Sequence, residues 1–118
     1  MNTIQLLTKK LVNFRNKRDW KKYHSPLNLA VSLQLEAAEV LELFQWKTNQ
    51  EFIEWLKKDN HLEMIADELA DVFAYLLLLA QSLNINLESA LKNKIKKNNQ
   101  KYPIEKAKGN AKKYTEFA

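Results

Sequence analysis

From Leu29 to Trp46 the chain reads LAVSLQLEAAEVLELFQW, apolar on almost every side of a helix, and the charged exceptions are all glutamates. Leu29, Leu33, Val40 and Leu43 recur at three- and four-residue spacing, which predicts a helix over this stretch. Glu36 falls on that stripe, Glu39 follows it three residues later, and Glu42 lies beyond. Side chains three apart on a helix stand about 5–6 Å apart at Cβ, so Glu36 and Glu39 point the same way and are expected to be half buried. A buried carboxylate must lose its charge, meet a cation or bind a metal.

The device returns in HLEMIADELADVFAYLLLLAQSL, His61 to Leu83, where Glu68 and Asp71 are three apart, Glu63 and Asp67 join them, and again no basic residue intervenes. If the two helices face each other, four carboxylates converge in a site of low polarity. Their repulsion, of order several kcal/mol per close pair at an effective dielectric near 20, demands bound cations. Oxygen-only ligands favour a hard ion, magnesium or manganese before zinc.

The remaining pattern is helical as well. Thr3 to about Arg18 carries Ile4, Leu7, Leu11 and Phe14 at helical spacing and predicts a packing helix. RDWKKYHSPLN is a polar and aromatic connection in which Pro26 halts one helix and Asn28 can cap the next. Thr48 and Glu51 form a T-x-x-E capping pattern for a short helix to about Lys57, with Phe52, Ile53 and Leu56 inward. Asn60 with Glu63 resembles a second cap, opening the long helix to about Leu83. Asn86 caps LESALKNKIKKNNQKY, which shows Leu87, Leu91 and Ile95 on one side before Pro103 ends it. The expected fold is all-α, a bundle of four to five helices in one domain over residues 1–103. A basic tail follows over 104–118, expected to order only against another surface.

Composition agrees with that outline. A chain of 118 residues, 46% hydrophobic, is long enough for one core, while one Gly, two Pro and no alternating apolar run leave little room for sheet. Cysteine is absent, which removes disulfides, thiolate metal sites and Cys nucleophiles. The longest apolar run, Val72 to Ala80, falls far short of the ~20 residues of a membrane span. MNTIQLLTKKLVNF lacks the features of a signal peptide, so the cytoplasm is the expected compartment.

The net charge of +5 hides a segregation: half of the 14 acids lie in the two acidic helices, and every Lys and Arg lies outside them. A basic rim around an acidic centre suits a polyanion arriving with its own metal ions, such as a nucleoside triphosphate. For most individual lysines a solvated helix face is the default.

The spacing excludes several chemistries. A di-iron carboxylate bundle needs a His three residues after a Glu on two helices, and His24 and His61 stand elsewhere. There is no Walker loop, no Ser–His–Asp or Cys–His spacing, and one Gly cannot build a phosphate cradle. Metal-assisted attack of water on a phosphate remains. Trp46, seven residues after Glu39, and Tyr75, four after Asp71, are placed on the carboxylate faces of their helices, where flat rings could stack on a base. If the helices run antiparallel those ends diverge, and a partner subunit could supply one ring. Trp20 and His24 are candidates whose ordinary readings are packing and a local hydrogen bond. The competing function is a non-catalytic helical module binding nucleic acid or a partner through Lys92 to Lys113, and a purely structural bundle is a third. Neither gains from buried acids.

RDWKKYHSPLNL, EAAE, FQW, DELADVFAYLL and a later Lys, Asn and KYP together resemble the MazG-like nucleoside triphosphate pyrophosphohydrolases, in particular the short dCTP pyrophosphatase-like branch, from about Arg18 to Pro103. On that resemblance, Glu36, Glu39, Glu68 and Asp71 match the family's magnesium-binding carboxylates and catalytic centre. Trp20, His24, Trp46 and Tyr75 match positions that hold the base and sugar, and Lys94 and Asn98 match polar positions near the phosphates. The implied reaction is hydrolysis between the α- and β-phosphates of a (d)NTP, pyrimidines such as dCTP before purines, giving a (d)NMP and pyrophosphate as house-cleaning of the nucleotide pool. The implied cofactor is Mg2+, with Mn2+ as a substitute. The implied assembly is a four-helix core completed by oligomerisation, a homotetramer or homodimer, with no nucleic acid and no membrane as partner. Ala37 and Ala38 stand where the branch often has glycine, and Glu42 and Asp67 are extra acids.

Overall fold

Asn2 opens the first helix by accepting from the Gln5 backbone N–H at 2.9 Å, and Gln5 Oε1 returns the favour by accepting from Asn2 N–H at 2.9 Å. Such reciprocal caps satisfy N–H groups that the first helical turn leaves free. The computed structural model describes residues 1–117, and among them there is no strand. The elements are α1 (Thr3–Asn16), a 3-10 turn (Lys21–Tyr23), α2 (Pro26–Glu42), α3 (Asn49–Leu56), α4 (His61–Ser82), α5 (Leu87–Lys101), α6 (Ile104–Ala107) and a second 3-10 turn (Tyr114–Glu116). The all-α expectation holds. No described helix is long and apolar enough to cross a membrane.

Several boundaries differ from those expected. Ser25, not Asn28, caps α2: its hydroxyl accepts from Asn28 N–H at 3.2 Å. Pro26 takes the first helical position, where its missing N–H costs nothing, and the Asn28 side chain donates back to Tyr23 O at 3.0 Å. Asn60 makes no side-chain cap for α4. Thr48 and Asn86 do cap, accepting from Glu51 and Ser89 N–H at 3.1 and 3.0 Å. The expected helix to Trp46 stops at Glu42, because Leu43 to Trp46 unwind into turns and Trp46 adopts a left-handed φ of 67°. Trp46 therefore does not lie on the carboxylate face of α2.

The chain divides into two compact units, Met1–Asn84 and the segment from Ile85 onward. In the first, α4 is the hub: α2 packs along it most extensively, then α1, then α3. Among the described residues the buried apolar side chains are Leu29 of α2, which is fully enclosed, and Leu77, Leu78 and Ala80 of α4. The inward face of α1 is rotated from the expected stripe. Leu7 and Phe14 are exposed, whereas Ile4, Thr8, Leu11 and Val12 are half buried and Arg15 is buried. At the far end, Phe44, Phe52, Trp55 and His61 form a continuous stack with ring centroids 4.1, 5.7 and 4.1 Å apart. His61 Nδ1 also meets Trp55 O at 2.7 Å, so this ring joins α3 to α4.

The second unit holds α5, α6 and the final turn. The tail is ordered within its own unit, since Tyr102 meets the rings of Tyr114 and Phe117 edge-on at 6.1 and 5.8 Å, and Lys101 Nζ lies 4.9 Å above Tyr114. Aromatic contact replaces the external surface expected from composition.

Candidate functional site

The half-buried positions of α2 and α4 run in step. On α2 they include Leu33, Glu36, Val40 and the adjoining Leu43, continuing from buried Leu29; on α4 they include His61, Ile65, Glu68, Val72 and Tyr75. Both series advance by threes and fours, so each helix turns one stripe toward the other and places one glutamate in the middle of it. Glu39 and Asp71, three residues further along each helix, are exposed at the rim. The helices run antiparallel: Glu39 meets Glu68, the charge of Asp71 bears on Glu36 more than that of Glu68 does, and His24, ahead of α2, faces Tyr75, late in α4.

Glu36, Glu39 and Glu68 each bring a carboxylate oxygen into one group within 4.8 Å, and Asp71 is near enough to act on Glu36 and Glu68 through its charge. Burial, first, and contact with Glu39, second, push the Glu36 carboxyl above its ordinary value; contact with Glu39, first, and burial, second, do the same for Glu68. Glu36 Oε2 and Glu68 Oε2 are buried without a hydrogen-bond partner. The ion pairs among the described residues join Lys22 to Asp19, Lys57 to Glu54 and Lys92 to Glu88, so no lysine or arginine neutralises the cluster. Two orphaned buried oxygens on neighbouring carboxylates, with Glu39 and Asp71 beside them, suit a hard divalent cation. The donor set fits the magnesium expected from sequence. Of the extra acids, Asp67 is exposed and adds its charge to Glu68, while Glu42 is exposed at the end of α2.

The aromatic and basic candidates are placed unequally. Trp20 sits on the turn after α1, where Asp19 takes a left-handed φ of 56°. Its ring lies edge-on to Phe14 at 5.8 Å, and Phe14 is covered in turn by the Arg18 guanidinium at 3.6 Å. His24 is half buried, with its ring 6.4 Å from that of Tyr75. Burial, and then the charge of Arg15, lower the His24 pKa. Trp20 and His24 thus share one short turn, and His24 and Tyr75 meet, one helical turn beyond Asp71. Trp46 is apart from these three, at the opposite end of the antiparallel pair and 87% exposed. Lys94 and Asn98 lie on α5 in the second unit, both exposed.

Arg15 was missed by sequence reasoning. It lies four residues after Leu11, on the true inward face of α1, so an arginine in register with a buried stripe was the available signal.

The MazG-like family model matches residues 31–117. Over 115 residues, 98% of this chain, the sequence is 34% identical to dCTP pyrophosphatase 1 of Rattus norvegicus and to that of Homo sapiens, covering 68% of each relative. Among solved structures, a pyrophosphatase from Archaeoglobus fulgidus DSM 4304 is 42% identical, with a TM-score of 0.79 over 87% of this chain and 94% of that one. Family match, relatives along nearly the whole length and the shared fold agree: the chain belongs to the MazG-like family.

Proposed function

We propose that the protein is a magnesium-dependent nucleoside triphosphate pyrophosphohydrolase, cleaving (d)NTPs to (d)NMP and pyrophosphate with a preference for pyrimidines such as dCTP. The class of enzyme follows from the relatives, named dCTP pyrophosphatase and pyrophosphatase. The observation that carries the site is the pair of orphaned, buried oxygens of Glu36 and Glu68 beside Glu39, with no basic side chain to neutralise them.

Glu36, Glu39, Glu68 and Asp71 would hold the metal. A divalent cation in that position supplies Lewis acidity to phosphoryl oxygens and screens the charge that moves onto the leaving pyrophosphate. The protein's own groups do the rest. A carboxylate at the exposed rim, Glu39 foremost, orients the attacking water and accepts its proton; Glu36 and Glu68, set deeper, would hold the metal. Trp20, His24 and Tyr75 receive the base and sugar one helical turn away. Trp46, remote from Tyr75 along the antiparallel pair, serves the pocket of a second subunit.

The second subunit is supported by what the fold leaves uncovered. Leu27, Val31 and Leu35 of α2 and Leu62, Leu69, Phe73 and Leu76 of α4 are exposed in helical series. Apolar stripes of this extent are covered in a stable protein, and a homodimer or homotetramer completes the four-helix core. The proposed setting is the cytoplasmic nucleotide pool.

The test is a panel of canonical and modified nucleoside triphosphates with Mg2+, with Mn2+ as the alternative metal, scored for pyrophosphate against inorganic phosphate. Pyrophosphate with the matching monophosphate is the expected product pair. Release of inorganic phosphate, or no turnover of any triphosphate, overturns the reading.

A further inference from the structure

Arg15 is the charged side chain that the fold buries, 6% exposed among the described residues. Its Nε has no hydrogen-bond partner, and no carboxylate of the described residues forms an ion pair with it. Its backbone is fully employed: Arg15 O accepts from Arg18 N–H at 3.2 Å and from Trp20 N–H at 3.0 Å, so one residue anchors the turn that carries Trp20. Its charge acts on His24, and His24 Nδ1 is likewise buried without a partner. Two unmet polar nitrogens, Arg15 Nε and His24 Nδ1, therefore belong to the two ends of the Trp20–His24 turn, and the His24 ring faces Tyr75.

A buried guanidinium without a counter-ion is strongly unfavourable. A chain keeps one where an anion arrives, and arginine's fixed fork of donors matches phosphate oxygens in particular. The position selects among the phosphates. Arg15 anchors the turn that carries Trp20, and its charge acts on His24, whose ring faces Tyr75. That is the side proposed above to hold the nucleoside.

Resting on the pyrophosphohydrolase reading, we infer that Arg15 is a further substrate-binding residue: its guanidinium receives an oxygen of the α-phosphate, the one that stays on the nucleoside monophosphate, while His24 Nδ1 pairs with a neighbouring polar atom of the nucleotide. The cluster thus grips the departing half of the substrate and Arg15 the retained half. A triphosphate spans both.

The experiment measures calorimetric affinity of the full chain with Mg2+ for dCMP and for deoxycytidine, which differ only by that phosphate, in wild type, Arg15→Gln and Arg15→Lys. Wild type is expected to bind dCMP about tenfold or more tighter, the size of a hydrogen bond to a charged group. Arg15→Gln should bring the ratio close to one and raise KM for dCTP more than it lowers kcat. Arg15→Lys, which keeps a cation but not the fork, should lose severalfold and covers the case in which the glutamine variant does not fold. A wild-type ratio near one overturns the inference. So does an unchanged ratio in a folded variant, including one whose melting temperature or oligomeric mass has shifted, since the guanidinium then serves folding or a partner's carboxylate. Failure of the functional reading is separate: no triphosphate then yields pyrophosphate, whatever the dCMP ratio.

Discussion

Glu39 of α2 touches Glu68 of α4, and the contact is the foremost reason that the Glu68 carboxyl sits above its ordinary value. The same carboxylate presses on Glu36, so Glu39 is the member of the cluster that both others feel. Two acids brought together across a helix interface repel unless something stands between them.

Glu39→Gln removes the shared charge and keeps the shape. Pyrophosphate release is expected to fall about 100-fold or more, because a carboxylate needed for the metal and the water is gone. Without metal the variant should melt higher than wild type, since the repulsion is relieved, and its oligomeric mass should be unchanged. Turnover close to wild type would remove the cluster from the mechanism.

The raised pKa values of Glu36 and Glu68 fix the sign of a pH effect. As pH falls from neutral toward their ordinary value of 4.5, these groups take up protons in the folded chain before they do in the unfolded one. The metal-free protein therefore gains stability across that interval and is at its weakest, in this respect, above it. Protons and Mg2+ compete for the same oxygens. The Mg2+-induced rise in melting temperature should be greatest near neutrality and shrink steadily on acidification; a rise that grows as pH falls would contradict the assignment.

Trp46 combines a left-handed φ of 67° with 87% exposure. A bulky L-residue there is strained by about 1 kcal/mol or more, which glycine avoids. Trp46→Gly should leave the melting temperature unchanged or slightly raised while KM for the nucleotide rises. Unchanged KM would make the indole a bystander. The separation of stability from binding is the informative part, because an exposed side chain contributes little to the core.

Leu35 and Leu69 lie on the exposed apolar series of α2 and α4. Placing Glu at both should reduce the oligomeric mass measured by light scattering and abolish turnover with it, since burying an unpaired charge costs several kcal/mol per ion. A wild type that is monomeric would overturn the oligomer directly.

Much of this was legible in the chain. Glu36 announced itself as an acid in register with Leu29, Leu33 and Val40, and it is half buried, whereas Glu39, expected to be half buried with it, is exposed because it lies off that stripe. Boundaries were harder. Asn28 and Asn60 carry a capping residue's chemistry, yet Ser25 won the first site because Pro26 fixes the start of α2, and α4 opens without a side-chain cap. Trp46 was read as helical because nothing in FQW forbids a helix; the turn is set by the stack of Phe44 on Phe52 that α3 must reach. The burial of Arg15 is not legible in the sequence, since a basic residue on an amphipathic helix is exposed far more often than not.

The sequence by itself determined the all-helical class, the two acidic helices and which of their faces turns inward, because side-chain periodicity is a local property of the backbone. Only the tertiary structure decided that α2 and α4 run antiparallel, that Glu39 meets Glu68 while Trp46 and Tyr75 end far apart, and that Arg15 is enclosed beside His24. Those outcomes depend on how helices rotate and slide against one another, which is settled by contacts between residues distant in the chain.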